Sequence, residues 1–266
     1  MDYDDTSSKD PREENIAEMY KFTLCPQLKW TSFVTLVVLI DIACFLAQIF
    51  VDGIVKGGKL LDVSPYGKVI QGFGKMREPV HNKFEVHRLF TCLLLHGNFS
   101  HIFNNSFSTI IWGSLIEKHL GFKKTCLIYI LAGIIGNLFS IIYSKPNEIG
   151  IGASTSVFSF FGILVGFLVL NWYRFEGAGY NLGRVILNIF VILLLNVFML
   201  SSDKSIDNYA HGGGFVAGIT LSMLLADLPE KERQPMSVYE KRVKQLGLLA
   251  TIAFTAFSAS VFFIGK

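Results

Sequence analysis

Three separated stretches of the chain carry polar side chains that could do chemistry. They read "HGNFSHIFNNS", "GASTS" and "YAHGGG", and they contain His96, His101, Asn105, Ser154 and His211. Serine is a weak nucleophile at its own pKa, but an adjacent imidazole can accept its proton and later return it to a leaving group. A pair formed by Ser154 and His211 would therefore suit acyl transfer. Side-chain N–H groups of His101 and Asn105 would suit a developing negative charge.

The rest of the chain is apolar enough to indicate a membrane protein. Of its 266 residues 51% are hydrophobic and 17% charged, and the mean hydropathy is +0.46. A membrane-spanning helix needs roughly 17 to 25 apolar residues. Seven runs of about this length predict an all-α, polytopic membrane helical bundle: Trp30–Val51, His101–Leu115, Cys126–Tyr143, Ala153–Asn171, Val185–Ser201, Tyr209–Ala226 and Leu246–Ile264.

The predicted organisation is one integral domain with polar additions. It comprises a polar tail (1–29), a six-span core (30–226) with a long first loop (52–88), a charged link (227–245) and an additional C-terminal helix (246–266). The tail lacks the features of a cleavable signal, so the first span is interpreted as an uncleaved anchor. The four cysteines, Cys25, Cys44, Cys92 and Cys126, have no metal-like or disulfide-framework spacing. No metal and no cofactor are predicted.

The distribution of positive charge predicts the orientation in the membrane. With the N-terminus in the cytoplasm, fourteen of the 24 lysine and arginine residues fall on the cytoplasmic side. Seven of the other ten lie together in the long first loop, and short loops are the ones that obey the positive-inside rule. The C-terminus is therefore expected outside. The net charge of +3 is too small to indicate nucleic-acid binding.

The three polar stretches are expected to meet. Each opens an even-numbered span, and spans two, four and six all enter the membrane from the same side. Polar groups at membrane depth are costly and are by default functional candidates. Each has a plain structural alternative, because serine often bonds to a carbonyl of its own helix and a lone histidine often packs at a helix interface. Their convergence favours the functional interpretation.

Small residues predict that spans four and six touch. Gly162 and Gly166 in span four, and Ala210, Gly214 and Gly218 in span six, recur at four-residue spacing, which lets helix backbones approach closely. The first turn of span four would add backbone N–H groups and the positive end of a helix dipole beside the serine. Ser154 and His211 would then lie within hydrogen-bond reach, because each occupies the start of its helix.

These motifs, in this order between Glu85 and Gly218, resemble those of the rhomboid intramembrane serine proteases. The family's ExWR, HxxxxHxxxN, GxSG and AHxxG motifs are matched by Glu85, His87 and Arg88; by His96, His101 and Asn105; by Gly152, Ala153 and Ser154; and by Ala210, His211 and Gly214. Two positions depart from the pattern. Histidine stands in place of tryptophan in the first motif, and Thr155 replaces the glycine that follows the serine.

The resemblance implies a role for each residue. Ser154 would be the nucleophile and His211 its base, with the backbone N–H of Ser154 and the side chains of His101 and Asn105 forming an oxyanion hole. Residues around this centre would have supporting roles. Phe158 would stack on the catalytic imidazole, His96 would order the start of span two, and Glu85 and Arg88 would hold the first loop. The other supporting residues are Gly152, Gly214 and Gly218.

The function so implied is a serine-type endopeptidase that cleaves single-pass membrane proteins in or near their transmembrane segment. Six spans plus a C-terminal one resemble the eukaryotic secretase-type arrangement, which implies the secretory pathway or plasma membrane and a site facing the lumen or the exterior. A rhomboid pseudoprotease that binds transmembrane helices without cleavage is the alternative, favoured by Thr155 and the altered loop motif. A transporter, or a haem protein using His96, His101 and His211, is a third class.

Overall fold

The computed structural model describes residues 29–56, 58, 60–64, 66–177, 179–200, 206–227 and 235–264. The predicted polar tail, apart from its last residue, and residues 228–234 of the predicted link lie outside these residues. Within them the chain forms eleven α-helices and no β-strand, which confirms the predicted helical bundle. The helices are α1 Phe33–Asp52, α2 Lys68–Phe73, α3 Arg77–Lys83, α4 Arg88–Thr91, α5 Phe99–Ser108, α6 Ser114–Ser140, α7 Ser154–Leu170, α8 Trp172–Gly177, α9 Leu182–Leu200, α10 Asn208–Leu225 and α11 Val238–Ile264.

A helix overlaps each of the seven predicted spans. By length and composition, Phe33–Asp52, Phe99–Ser140 and Val238–Ile264 are long and apolar enough to cross a membrane, and Ser154–Leu170 and Leu182–Leu194 are shorter apolar helices. Predicted spans two and three belong to one run, because a π-helical turn, Thr109–Gly113, joins α5 to α6. The break comes at Gly121, whose non-helical φ of 75° and ψ of 165° suit glycine.

Helices α7 and α10 pack with their main chains in contact. A Cβ atom added to Gly162 would lie 2.1 Å from the carbonyl oxygen of Phe215, and one added to Gly218 would lie 2.4 Å from that of Ser159. Such distances exclude any side chain at either position. The predicted contact between spans four and six is therefore confirmed, and glycine is the residue type that permits it.

The start of α1 is fixed to α6 at the end of the bundle away from the first loop. The carboxylate of Glu117 accepts hydrogen bonds from the backbone N–H groups of Phe33 and Val34, at 2.8 and 3.1 Å. The first N–H groups of a helix have no acceptor within that helix, so the carboxylate supplies one. Its negative charge also complements the positive end of the helix dipole. The side chains of Phe33 and Val34 are buried in the main apolar core.

The first loop is held in shape by a buried arginine near its end. Arg88, which is buried, donates hydrogen bonds to the carbonyl oxygens of Gln71 and Gly74 at 2.7 and 3.0 Å and to the carboxylate of Glu85 at 2.6 Å. The hydrogen bond from Arg88 holds the pKa of Glu85 below its ordinary value. These are contacts of the kind expected if Glu85 and Arg88 hold this loop.

The additional helix α11 packs along α10 and reaches the first loop. A Cβ atom on Gly247 would lie 2.8 Å from the carbonyl oxygen of Thr220, so these helices also approach closely. Near its C-terminal end, Phe262 meets the imidazole of His81 edge-on, and Phe263 stacks on Phe84. These two contacts join α11 to α3 and to Phe84, the residue that follows α3.

Candidate active site

The side chains of Ser154 and His211 are in direct contact. The serine Oγ and the imidazole Nε2 are 2.8 Å apart, a hydrogen-bond distance, although the residues are 57 positions apart in the chain. Ser154 is the first residue of α7, and His211 lies in the first turn of α10. The glycine contacts between these helices bring the two first turns together, as the sequence predicts.

An aromatic ring holds the imidazole in place. Phe158, one helical turn after Ser154, stacks on His211 with ring centroids 4.2 Å apart and an angle of 10° between the planes. Because a stacked ring restricts rotation of the imidazole, Phe158 keeps Nε2 directed at the serine. His211 is nearly buried, with 8% of its surface exposed, whereas Ser154 is half-buried.

His101 and Asn105 lie beside the backbone that leads into Ser154. A Cβ atom on Gly152 would come within 2.6 Å of His101 Nε2 and 3.7 Å of Asn105 Nδ2. Gly152 also has a φ of 123°, and its N–H donates a 2.9 Å hydrogen bond to the carbonyl oxygen of Cys92. Both the backbone conformation and the close approach require glycine here.

Each of these two side chains places an N–H group at the site. The backbone N–H of Gly97 is 3.4 Å from His101 Nδ1, so a neutral ring in this arrangement carries its proton on Nε2, the nitrogen next to Gly152. Asn105 Nδ2 donates to the carbonyl oxygen of His101 at 3.1 Å. That contact uses one of the two N–H bonds on Nδ2.

His96 lies next to His101 and is fully buried. Its backbone N–H and carbonyl are both bonded by the side-chain amide of Gln48 in α1, at 3.0 and 3.1 Å. The His96 and His101 rings meet edge-on, with centroids 5.1 Å apart. The position of His96 suits the structural role that the resemblance implies, because its main chain anchors the turn before α5 to α1.

Thr155 is directed into the helix bundle. Its hydroxyl donates to Asn137 Oδ1 at 3.2 Å, and its methyl carbon would lie 2.6 Å from a Cβ atom on Gly136. Its carbonyl oxygen would lie 2.0 Å from a Cβ atom on Gly214. The threonine that stands where the family usually has glycine is thus accommodated by glycines at 136 and 214 on the neighbouring helices.

Three polar residues near the site were not singled out from the sequence. Lys75 is buried and places Nζ 2.5 Å from Asp207 Oδ2 and 2.7 Å from Ser140 Oγ. Burial alone would raise the pKa of Asp207, but the charge of Lys75 and hydrogen bonds from Lys75, Ser140 and the Ala210 N–H lower it overall. An aspartate just before a helix is a readable N-cap signal. Nothing in the sequence pattern distinguishes Lys75 from its neighbours.

Within the described ranges, no three His, Cys, Asp or Glu side chains are grouped so that they could hold a metal ion. The described cysteines, Cys44, Cys92 and Cys126, are free thiols. Cys92 lies in the core between α4 and α6, where Asn137 Nδ2 is 3.1 Å from its sulfur.

Comparison with known proteins gives the same family for most of the bundle. A model of the Rhomboid domain matches residues 83–228. Rhomboid-like protease 1 of Toxoplasma gondii is 28% identical over 84% of this chain and 73% of its own length. RHOMBOID-like protein 1 of Arabidopsis thaliana is 31% identical over 57% of this chain but only 37% of its own length. Putative rhomboid protease YdcA of Bacillus subtilis (strain 168) is 32% identical over 54% of this chain and 69% of its own length.

Proposed function

The chain belongs to the rhomboid family, and from that premise we propose that it is an intramembrane serine endopeptidase with a Ser154–His211 dyad. The observation that carries the proposal is the 2.8 Å contact between Ser154 Oγ and His211 Nε2 at the facing ends of two helices. Isolated serines in membrane helices usually bond to a carbonyl of their own helix. A serine bonded to the imidazole of another helix is instead arranged for proton transfer.

The proposed reaction is acyl transfer in two steps. Ser154 Oγ attacks the carbonyl carbon of a substrate peptide bond while its proton passes to His211 Nε2. His211 then returns that proton to the leaving amine, and the peptide bond breaks. A water molecule attacks the acyl-enzyme with the same histidine as base, which releases the new carboxyl group and restores the serine hydroxyl.

The same neighbourhood would stabilise the negative charge on the tetrahedral intermediate. His101 Nε2 and Asn105 Nδ2 lie beside Gly152, two residues before the nucleophile, and the first turn of α7 supplies the backbone N–H of Ser154. Loss of one oxyanion-hole donor typically lowers kcat about 100- to 1000-fold. We assign this role to His101 and Asn105 together with the Ser154 N–H.

The proposed substrates are single-pass membrane proteins cut in or near their transmembrane segment. A helix keeps its carbonyl groups in hydrogen bonds, so the cleaved segment must unwind locally before Ser154 can reach it. We propose that the N-terminus lies in the cytoplasm and the dyad faces the lumen or exterior, because the short loops on the opposite side carry more lysine and arginine. The proposed compartment, the secretory pathway or the plasma membrane, rests on the resemblance of six spans plus a C-terminal one to the eukaryotic secretase-type arrangement.

The alternative, a pseudoprotease that binds transmembrane helices, drew its sequence support from Thr155 and the altered loop motif. In the structure Thr155 bonds to Asn137 and packs beside Gly136, while Ser154 keeps its contact with His211. The substitution therefore leaves the chemistry of the dyad available, which is why we favour the protease.

The test compares Ser154→Ala and His211→Ala with Ser156→Ala, a matched control that removes a buried hydroxyl two residues along the same helix. Each protein is purified in detergent, reconstituted and incubated with a fluorescent single-pass substrate. We expect the first two variants to lose at least ~1000-fold in kcat/KM and Ser156→Ala to stay near the wild type, all with similar melting temperatures. A fluorophosphonate probe should label only proteins that retain Ser154.

Two results would decide against the proposal. Cleavage that persists in Ser154→Ala would remove the nucleophile assignment. A wild type that binds the substrate but neither cuts it nor reacts with the probe would favour the pseudoprotease.

A further inference from the structure

Lys75, in the first loop, contacts the segment before Ser154 through its main chain. Its N–H donates to the carbonyl oxygen of Gly150, and the Gly150 N–H donates to the carbonyl oxygen of Lys75, both at 2.9 Å. These bonds form an isolated antiparallel bridge. Gly150 stands four residues before Ser154, so the bridge fixes the approach of the chain to the nucleophile.

The side chain of Lys75 contacts the segment before His211. Its Nζ lies 2.5 Å from Asp207 Oδ2, and Asp207 stands four residues before the histidine. The other carboxylate oxygen of Asp207 caps α10 by accepting from the Ala210 N–H at 2.9 Å, and its main-chain oxygen accepts from the His211 N–H at 3.1 Å. The aspartate therefore joins Lys75 directly to the first turn of the helix that carries the imidazole.

The lysine end of the link is enclosed by protein. Only 2% of the Lys75 side chain is exposed, and Ser140 Oγ accepts from Nζ at 2.7 Å while lying 2.5 Å from the same Asp207 oxygen. A Cβ atom on Gly150 would lie 2.6 Å from Lys75 Cε, so the lysine crosses directly over the glycine with which its main chain pairs. Lysine is almost never fully buried without a charged partner, and the position is costly unless that partner is kept.

We propose that Lys75 is a positioning residue that sets the distance between Ser154 Oγ and His211 Nε2 by holding the segments that carry them at one point of the first loop. The proposal rests on the proposed protease function for its kinetic part. A lysine whose sole role was to stabilise the fold would need to contact only one of these two segments. Lys75 contacts both, each four residues before a member of the dyad, so a shift of the loop moves the two reacting side chains relative to one another.

The test uses three substitutions and one matched control. Lys75→Met keeps the length and removes the charge, Lys75→Arg keeps the charge, and Asp207→Asn keeps a good helix cap without the charge. Lys83→Met is the control, because Lys83 is an exposed lysine of the same loop.

For cleavage of a fluorescent transmembrane substrate, we expect Lys75→Met to lower kcat about 10- to 100-fold with KM within about twofold, since displacement of reacting groups by about 1 Å costs about that much. Lys75→Arg should recover most of the loss, and Lys83→Met should match the wild type.

The double variant Lys75→Met/Asp207→Asn separates positioning from folding. Lys75→Met alone leaves the partly buried carboxylate of Asp207 without its cation and can destabilise the protein, whereas the double variant removes both charges and retains the cap. We expect its melting temperature to approach that of the wild type and its kcat to stay low. Wild-type kcat in the double variant, or in Lys75→Met itself, would overturn the proposal.

Amide hydrogen exchange tests the link without reference to catalysis. In Lys75→Met and in the double variant, residues 150–156 and 207–213 should exchange faster than in Lys83→Met. Unchanged exchange in both segments would overturn the proposal even if kcat fell as expected. If the wild type failed to cleave while exchange changed as expected, the protease function would fail and the structural link would stand.

Discussion

The two ends of α10 are held by similar groups in different surroundings. Asp207 precedes the helix and pairs with Lys75, whose side chain is 2% exposed; Asp227 follows the helix and pairs with Lys124 and Lys244, which are 36% and 20% exposed. The first pair connects the helix to the first loop beside the dyad. The second connects it to α6 and to the additional helix α11, at the far end of the bundle.

The aspartates are similarly exposed, 31% for Asp207 and 41% for Asp227, so the burial of the paired lysine decides what each ion pair contributes. Water screens the charges around Asp227, and exposed pairs of this kind stabilise by about 0 to 1 kcal/mol. Lys75 is buried, and a buried charge that loses its partner costs about 3 to 5 kcal/mol because it is left without compensation. We therefore expect the dyad end of α10 to be sensitive to change, both in activity and in stability, and the opposite end to be tolerant.

The largest effect should follow from a methyl group added where α10 touches α7 at the dyad end. A Cβ atom on Gly214 would lie 2.0 Å from the carbonyl oxygen of Thr155, so Gly214→Ala must push the main chain after Ser154 away from His211. We expect kcat to fall at least ~100-fold, measured on a fluorescent transmembrane substrate. Gly212→Ala is the matched control, because a Cβ atom at 212 meets nothing within 4 Å. Equal activity of the two variants would show that this end of α10 is not tightly constrained.

Acid should test both aspartates. The pKa of Asp207 and that of Asp227 are each lowered in the folded protein, where burial opposes the shift and lysine charges and hydrogen bonds outweigh it. A carboxyl group with a lowered pKa stabilises the fold fully above its unfolded pKa, about 3.9, and the contribution is lost as the pH falls through the folded value. Melting temperatures recorded from pH 7 down to pH 3 should therefore fall below about pH 4. The fall should be smaller in Asp207→Asn than in Asp227→Asn, and the reverse order would contradict the comparison.

The smallest effect should follow from neutralising Asp227. In Asp227→Asn the amide oxygen can still accept a hydrogen bond from one of the two lysines, and the lost Coulomb attraction is screened. We expect a stability loss of at most about 1 kcal/mol and a kcat within about twofold of the wild type. Thermal unfolding and substrate cleavage in the same preparation measure both. A large loss of kcat would mean that the far end of α10 also positions the dyad.

Much of the bundle and of the candidate site could be predicted from local patterns. A helix overlaps each of the seven apolar runs, and glycines at four-residue spacing predicted that α7 and α10 touch, which places Ser154 beside His211. The patterns failed where one residue changes the path of the chain. The π-helical turn at Thr109–Gly113 and the kink at Gly121 leave no mark in hydropathy.

Residues that act across long separations were also missed. Lys75 and Asp207 are 132 positions apart, and neither belongs to a periodic pattern or a motif. The sequence placed Lys75 among seven positive residues of the first loop, all equivalent by composition. Only its passage over Gly150 into the bundle separates it from exposed neighbours such as Lys83.

By itself the sequence determined that this chain is a helical membrane protein with a serine and a histidine at the starts of two helices able to meet, because helix periodicity and membrane thickness impose spacings that can be read from residue types. The tertiary structure alone decided which way Thr155 points, which nitrogen of His101 faces Gly152 and which lysine reaches Asp207. Those outcomes depend on how close particular atoms come when the helices pack. A one-dimensional pattern holds no information on such distances.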